Sequence, residues 1–267
     1  MKYEAGEQYD AYYFAHNCGQ PYRRDEKWLS LFDRIAECIV RDFQPKTVMD
    51  AGCAMGFLVE KLRERGVEAY GVDISKYAIE HVHESVRRFC RLASVTTSFP
   101  SHYDLIVSIE VLEHLSPLHA REAIANFCRH SDQVLFSSTP IDYQEVTHIN
   151  VHLPDYWAKL FAGHGFIRDV DYDASFITPW AGLYRKMDPL LPDLVQKFER
   201  RWWELQQENA ELRKAAQSHG ASAKLAEQEM ARLRARVAEL EKKIEAFEQG
   251  RVMRFLLTLQ RWREKLI

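Results

Sequence analysis

Three ionisable side chains follow an apolar stretch of the sequence that otherwise resembles a buried strand. Glu110, Glu113 and His114 lie in the segment SIEVLEHLSP, at the end of the run YDLIVSIE. Charged groups beside a buried strand are costly unless they are paired or bind something. Glutamates and a histidine at this spacing can converge on one point when the segment curls into a helical turn. The structural alternative is that Glu113 or His114 caps the following helix.

A second pair of imidazoles follows the next predicted strand. His148 and His152 belong to the segment THINVH, which we expect at the same edge of the sheet as the first cluster. Two carboxylates with one or two imidazoles suit a divalent cation with open positions, such as Mg²⁺, Mn²⁺ or Zn²⁺. The two clusters therefore predict one site for a cation or for proton transfer.

The elements that must hold this site alternate between short β-branched runs and helical patterns. TVMD, EAYGVD, YDLIVSIE and QVLFSS are separated by the helical stretches FLVEKLRERG, YAIEHVHESVRRF and HAREAIANFCRH. Such alternation predicts βαβ units and an α/β, doubly wound, mostly parallel sheet. A further helix through PDYWAKLFAGHGF precedes FIRDVDYD and WAGLYRKM, which we expect to close one edge of the sheet as a hairpin.

A glycine-rich turn joins the first strand to its helix in the segment VMDAGCAMGFL. Gly52 and Gly56 allow a tight turn and close approach of a ligand, and Asp50 ends the strand before them. The G-x-x-x-G spacing differs from the G-x-G-x-x-G of dinucleotide sites. Asp73 ends the next strand, where an acid can bind ribose hydroxyls.

Together DAGCAMG, GVDIS and YDLIVSIEVLEHL resemble the class I S-adenosylmethionine-dependent methyltransferases. The resemblance implies a Rossmann-like methyltransferase domain over residues 1–190, with Asp73 on the ribose. The sequence departs from the family at FCRLAS, which has no acidic residue to face the adenine. Backbone groups near Leu92 or Ala93 are the alternative for binding the adenine. The cofactor-binding residues it implies are Asp50, Gly52, Cys53, Ala54, Gly56, Asp73, Ile74, Ile109 and Glu110.

The E-x-x-E-H run with a later histidine resembles two narrower groups, the ubiquinone-pathway O-methyltransferases and the small-RNA 3′-terminal 2′-O-methyltransferases. In both groups a metal holds neighbouring hydroxyls of the acceptor. The resemblance implies Glu110, Glu113, His114 and His148 as metal ligands, with His152 as the alternative to His148. It also gives His114, His148 and Glu110 as catalytic candidates, because a metal-bound hydroxyl loses its proton and attacks the methyl group.

The sequence changes character after Pro192. Apolar residues alternate four and three apart over residues 193–248, which predicts a coiled coil that mediates oligomerisation or acts as a spacer. The weak segment QSHGAS could instead fold the region into a hairpin, but the heptad phase continues across it and favours one helix. Residues 251–267 have the pattern of a basic amphipathic helix at a membrane surface, and packing against protein is the alternative.

The bulk properties restrict the function further. The 267 residues carry a formal net charge of −3, which gives no general argument for nucleic-acid binding. Five cysteines without CxxC spacing predict reduced thiols. The first residues show no signal peptide and no apolar run is long enough to span a membrane. We expect a cytoplasmic protein, with attachment to the inner-membrane surface as an option.

The acceptor is predicted from resemblance alone. The aromatic N-terminal segment, HINVHLPDYWAKLFAGHGF and the appended coiled coil resemble bacterial O-antigen methyltransferases of surface-polysaccharide (lipopolysaccharide) assembly. That implies a glycan acceptor, self-association, and glycosyltransferase or polymerase partners. Two alternatives are a small-molecule or quinone-type O-methyltransferase and a non-catalytic scaffold that binds S-adenosylmethionine.

Overall fold

The computed structural model describes residues 6–187 and 191–248 of the chain. A seven-stranded sheet in the order β3-β2-β1-β4-β5-β7-β6 forms its centre. The strands are β1 Thr47–Ala51, β2 Glu68–Asp73, β3 Cys90–Leu92, β4 Leu105–Ile109, β5 Gln133–Ser137, β6 Phe166–Arg168 and β7 Gly182–Lys186. The helices are α1 Ala11–His16, α2 Glu26–Phe43, α3 Phe57–Glu64, α4 Lys76–Glu80, α5 Pro117–His130, α6 Pro154–Ala162 and α7 Leu191–Glu248.

Strands β1 to β5 are parallel, whereas β7 pairs antiparallel with both β5 and β6. The predicted parallel sheet and its edge hairpin are therefore confirmed. Because the strand order reverses at β1 and β4, with β2 and β3 on one side and β5 on the other, the carboxyl ends of these two strands form the crevice where open α/β sheets bind ligands.

Each face of the sheet is covered by helices. Ile39 of α2 and Leu58 of α3 pack on one face, and Phe127 of α5 and Trp157 of α6 pack on the other, all of them almost fully buried. Helix α5 begins where Ser116 accepts a hydrogen bond from the His119 backbone N–H and proline occupies the first turn. Large apolar side chains on both faces make the sheet a rigid support for the loops at its edge.

One predicted helix is wrong over most of its length. The pattern YAIEHVHESVRRF predicts a helix to Phe89, but α4 ends at Glu80 and only a 3₁₀ turn, Arg87–Phe89, follows. The Arg87 guanidinium donates to the Val82 carbonyl, and the irregular path buries both Val82 and Val86. Burial of these two valines thus offsets the loss of the backbone hydrogen bonds that a continued helix would make.

The chain divides into two units, Met1–Phe198 and Glu199–Ile267. A single helix, α7, runs from Leu191 to Glu248, as the continuous heptad phase predicts. Pairing of this helix with a second one is not shown by a single chain, so the coiled coil stays a prediction. The predicted amphipathic helix at 251–267 lies outside the described residues. Among the helices that the structure describes, none is long and apolar enough to cross a membrane.

Candidate active site

The glycine-rich turn after β1 adopts backbone conformations that favour glycine. Gly52 has a φ of 94° and Gly56 a φ of 73°, and Ala54 between them also has a positive φ, 45°. A Cβ added to Gly52 would lie 2.3 Å from a methyl carbon of Val111. The turn is therefore packed directly against the segment that carries Glu110, Glu113 and His114, which brings the predicted cofactor loop beside the predicted acceptor residues.

Asp73 holds this turn in place. Its two carboxylate oxygens accept hydrogen bonds from the backbone N–H of Ala54, at 2.8 Å, and of Ser75, at 2.7 Å. Burial raises the pKa of Asp73 despite these bonds. Asp50 is buried beside it, and burial together with the charge of Asp73 raises its pKa to about 8. A ligand that donates hydrogen bonds or carries positive charge here would reduce the repulsion between the two buried carboxylates.

The remaining predicted cofactor residues surround the same turn. Cys53 is buried and Ile109 ends β4 half-buried. The N-terminal segment covers Ile74, since a Cβ on Gly6 would lie 2.2 Å from the Ile74 carbonyl oxygen. The Ala93 N–H, one alternative for adenine binding, already donates to the Asp73 carbonyl at 2.9 Å. It is therefore not free for a ligand.

Glu110 lies at the carboxyl end of β4 and is bound by a residue outside the predicted ligand set. Its φ is 52°, an unusual conformation for a residue with a side chain, and its carboxylate accepts a hydrogen bond from the Trp180 indole N–H at 2.9 Å. Glu110 is thus near the cofactor turn through its neighbour Val111. Glu110 is not part of the cluster formed by Glu113, His114 and His148, described below.

Glu113 is fully buried in the 3₁₀ turn Leu112–His114. One carboxylate oxygen accepts a weak bond from the Thr139 backbone N–H at 3.3 Å, and the other has no hydrogen-bond partner among the described residues. Burial, and then the charge of Glu110, raise the pKa of Glu113 well above its usual range. A buried oxygen without a partner is costly, which is a property expected of a ligand site.

His114 is enclosed by side chains from two loops. Its Nδ1 lies 2.8 Å from the Thr147 hydroxyl, and its Nε2 lies 3.4 Å from the Tyr13 hydroxyl. The rings of Tyr9 and His148 contact its imidazole, with centroids 5.6 Å and 4.6 Å away. Burial, followed by the nearby His148, lowers the pKa of His114 to about 4, so the imidazole is neutral at physiological pH.

His148 is brought to His114 by the loop between β5 and α6. The backbone N–H groups of Ile149 and Asn150 both donate to the Glu113 carbonyl at 2.9 Å, and the buried Asn150 amide donates to Leu112. These bonds fasten the loop to the Glu113 turn. His152, the alternative ligand, instead stacks on the Tyr156 ring with centroids 3.7 Å apart.

One ligand atom each from Glu113, His114 and His148 lie within 4.8 Å of one another. Of the five residues considered from sequence, the structure brings these three together and leaves Glu110 and His152 apart. A carboxylate and two imidazoles at this separation can bind a divalent cation that keeps open positions for an acceptor.

Sequence reasoning missed three residues that shape this site. Glu145 lies outside the segments singled out above, and Thr147 and Trp180 open THINVH and WAGLYRKM without a role being predicted for them; each reaches the site only because the sheet brings its loop there. Tyr13 is a fourth such residue, and it belongs to the aromatic N-terminal segment. The signal available for it was the aromatic clustering of the N-terminal segment.

Comparisons with known proteins identify the family of the domain. Residues 22–172 match a family model described as "Methyltransferase domain". Ubiquinone biosynthesis O-methyltransferases of Nitrosomonas europaea and Alkalilimnicola ehrlichii are 30% and 29% identical over 109 and 115 residues. Those alignments cover 38% and 40% of this chain and 46% of each relative, so the chain spans about half the length of the curated relatives it matches.

A solved protein from Pyrococcus horikoshii is similar in fold, with a TM-score of 0.53 at 16% identity over 67% of this chain and 99% of the other. The family match covers more than half of the chain, and the sheet order and glycine turn agree with it. The chain therefore belongs to the methyltransferase-domain family, as a class I S-adenosylmethionine-dependent methyltransferase.

Proposed function

We propose that this methyltransferase transfers the methyl group to a hydroxyl oxygen of a small aromatic acceptor of the quinone-precursor type. The observation that carries the proposal is a neutral, buried His114 beside Glu113 and His148, packed through Val111 against the cofactor turn. A hydroxyl group is a poor nucleophile until its proton is removed or its pKa is lowered. This cluster offers a means of doing either.

A neutral imidazole supplies the simplest route. The acceptor hydroxyl gives its proton to His114 as its oxygen forms a bond to the methyl carbon. The bond between that carbon and the sulfonium sulfur breaks, and S-adenosylhomocysteine leaves. The lowered pKa of His114 keeps its lone pair unprotonated at neutral pH, but it also makes the imidazole a weaker base than an exposed histidine.

The residues also fit a divalent cation. Glu113 has one buried oxygen without a partner in the described part of the chain, and one carboxylate oxygen of Glu113 lies within 4.8 Å of a nitrogen of each imidazole. Glu113, His114 and His148 would hold the ion, and burial of a carboxylate among apolar groups becomes less costly beside a positive charge. A bound cation would lower the pKa of an acceptor hydroxyl.

The rim of the site favours an apolar acceptor. The loop that carries His148 exposes five large apolar side chains, each between 61% and 85% accessible: Ile141, Tyr143, Val146, Ile149 and Leu153. Such a concentration of apolar surface beside a site is typical of a ligand or membrane contact. The relatives named for ubiquinone biosynthesis point the same way. Neither observation supports the predicted polysaccharide acceptor.

The proposal is tested by methyl transfer to a catechol that carries a short prenyl chain. The purified full-length protein is incubated with methyl-labelled S-adenosylmethionine, before and after chelator treatment, and the product is identified by mass spectrometry. We expect one mono-O-methylated catechol. Activity that falls after chelation and returns with Mg²⁺, Mn²⁺ or Zn²⁺ supports the cation, whereas unchanged activity supports His114 as the base.

A matched control uses the same catechol with both hydroxyls already methylated, which should take up no label. The proposal is wrong if the catechol takes up none although calorimetry shows that S-adenosylmethionine binds. Label that enters the polysaccharide fraction of an extract instead would restore the glycan acceptor. A protein that binds the cofactor and labels no fraction would be a scaffold.

A further inference from the structure

A chain of hydrogen bonds extends from His114 to a carboxylate behind it. His114 Nδ1 lies 2.8 Å from the Thr147 hydroxyl oxygen, and that hydroxyl contacts Oε2 of Glu145. The Thr147 backbone N–H donates to the same Oε2 at 2.9 Å. Glu145 therefore receives two bonds from Thr147, and the side chain of Thr147 lies between it and the imidazole.

The chemistry of these groups fixes the direction of each bond. A carboxylate oxygen can only accept, so the single hydroxyl proton of Thr147 is directed at Glu145. The Thr147 oxygen is then left to accept, and Nδ1 of His114 must carry the proton that it receives. In a neutral imidazole with its proton on Nδ1, the free lone pair is on Nε2.

Two other contacts agree with this assignment. The Tyr13 hydroxyl lies 3.4 Å from Nε2, and it can donate there only when that nitrogen is unprotonated. His148 has the same arrangement, because its Nδ1 lies 2.9 Å from the Asp142 backbone carbonyl, which can only accept. His148 also lies beside two carboxylates, since its Nδ1 is 3.6 Å from Oδ2 of Asp142 and its Nε2 is 3.7 Å from Oε2 of Glu145, so Glu145 borders both histidines.

We propose that Glu145 is a positioning residue that, through the Thr147 hydroxyl, holds His114 in the Nδ1–H tautomer and keeps the Nε2 lone pair directed at the acceptor. Without this chain of hydrogen bonds, the neutral imidazole of His114 can carry its proton on Nε2. That nitrogen can then neither accept a proton nor bind a cation. The consequence for catalysis rests on the proposed function, whereas the tautomer itself does not.

The N-terminal segment fixes the position of Glu145. The Asn17 side-chain amide, at the end of α1, donates to Oε1 of Glu145 at 2.9 Å. The Glu145 side chain is only 10% exposed. Both of its oxygens are thereby engaged, which holds the carboxylate in one orientation towards Thr147.

The test compares Thr147→Val, which keeps the shape but removes the hydroxyl, with Thr147→Ser, which keeps the hydroxyl. Nitrogen-15 NMR of histidine-labelled full-length protein, treated with chelator, reads the tautomer, and His114→Gln assigns the signal. We expect the Nδ1–H form in the wild type and in Thr147→Ser, and the Nε2–H form or a mixture in Thr147→Val. Glu145→Ala should resemble Thr147→Val.

Methyl transfer to the catechol acceptor supplies the second measurement. Removal of a residue that orients a histidine typically costs about 10–100-fold in activity. We expect that loss in kcat for Thr147→Val and Glu145→Ala, with KM for S-adenosylmethionine unchanged and Thr147→Ser close to wild type.

The two measurements fail separately. An Nε2–H wild-type signal, or an Nδ1–H signal that persists in both Thr147→Val and Glu145→Ala, overturns the inference even if the enzyme is active. A wild type that shows the expected tautomer but transfers no methyl group contradicts the proposed function and leaves the positioning of His114 intact. An equal loss of kcat in Thr147→Ser would show that the hydroxyl is not what matters.

Discussion

At the scale of single residues, Gly52 joins the cofactor turn to the acceptor segment. Its φ of 94° disfavours any other residue, and a Cβ would lie 2.3 Å from Val111. We expect Gly52→Ala to lower the free energy of unfolding by about 2–5 kcal/mol, the sum of backbone strain and overpacking. Urea unfolding measures the stability, and calorimetry should show weaker binding of S-adenosylmethionine.

Gly165→Ala is the control for this effect. Gly165 also has a positive φ, 76°, but no atom lies within 4 Å of an added Cβ. Gly165→Ala should lower the free energy of unfolding by only about 1–2 kcal/mol, the cost of backbone strain. Its affinity for S-adenosylmethionine should not change. Equal losses in the two variants would mean that contact with Val111 is unimportant.

His114 makes stability depend on pH. Its pKa is about 4 when folded and about 6.5 when unfolded. Between these values the unfolded chain binds a proton that the folded chain does not, so stability falls as pH drops from about 6.5 to 4. The free energy of unfolding should therefore fall between pH 7 and pH 5. In chelator-treated protein, we expect this fall to be about 2 kcal/mol smaller for His114→Gln than for wild type. Identical losses in urea titrations would contradict burial of a neutral imidazole.

At the scale of elements, the loop between β5 and α6 has two roles. Asn150 fastens it to the Glu113 turn, while Val146 and its apolar neighbours face solvent. Because Val146 is 85% exposed, Val146→Ser should leave the unfolding free energy within about 0.5 kcal/mol of wild type. We expect it to raise KM for a prenylated catechol.

An unprenylated catechol is the control acceptor for this variant, since it has no chain to contact the rim. Its KM should be the same for Val146→Ser and wild type. If both KM values rise together, the apolar rim affects the shape of the site and does not bind the prenyl chain of the acceptor.

The sequence predicted these elements unevenly, for physical reasons. The mostly parallel sheet and the cofactor turn were predicted from local periodicity and from the positions of glycines, so short segments sufficed, whereas the order of the strands comes only from the structure. Helix α4 was overestimated because burial of Val82 and Val86 outweighs local helical preference. The contact between Tyr13 and His114 joins residues 101 positions apart, and only the folded sheet reveals it.

At the scale of the whole molecule, the long helix α7 is the part least explained by methyl transfer. Lys197, near its start, forms ion pairs with Asp169 at 2.7 Å and with Asp171 at 3.2 Å, within the first unit. A chain ending at Phe198 keeps these pairs. We expect light scattering to give an oligomer for the full chain and a monomer for the shortened one, with equal affinity for S-adenosylmethionine.

An unchanged molar mass would contradict self-association through α7. A shortened chain that no longer binds the cofactor would mean that the first unit depends on the rest. A full-length chain that is itself monomeric would contradict the predicted coiled coil and mean that α7 is a single unpaired helix.

The central claim is that His114 acts on the acceptor and not on the cofactor. The most direct measurement is the single-turnover rate of methyl transfer to the catechol by His114→Gln at saturating S-adenosylmethionine. We expect a rate about 10²–10⁴-fold below wild type, the usual contribution of general acid–base catalysis, with cofactor affinity unchanged. Transfer at the wild-type rate would contradict the account.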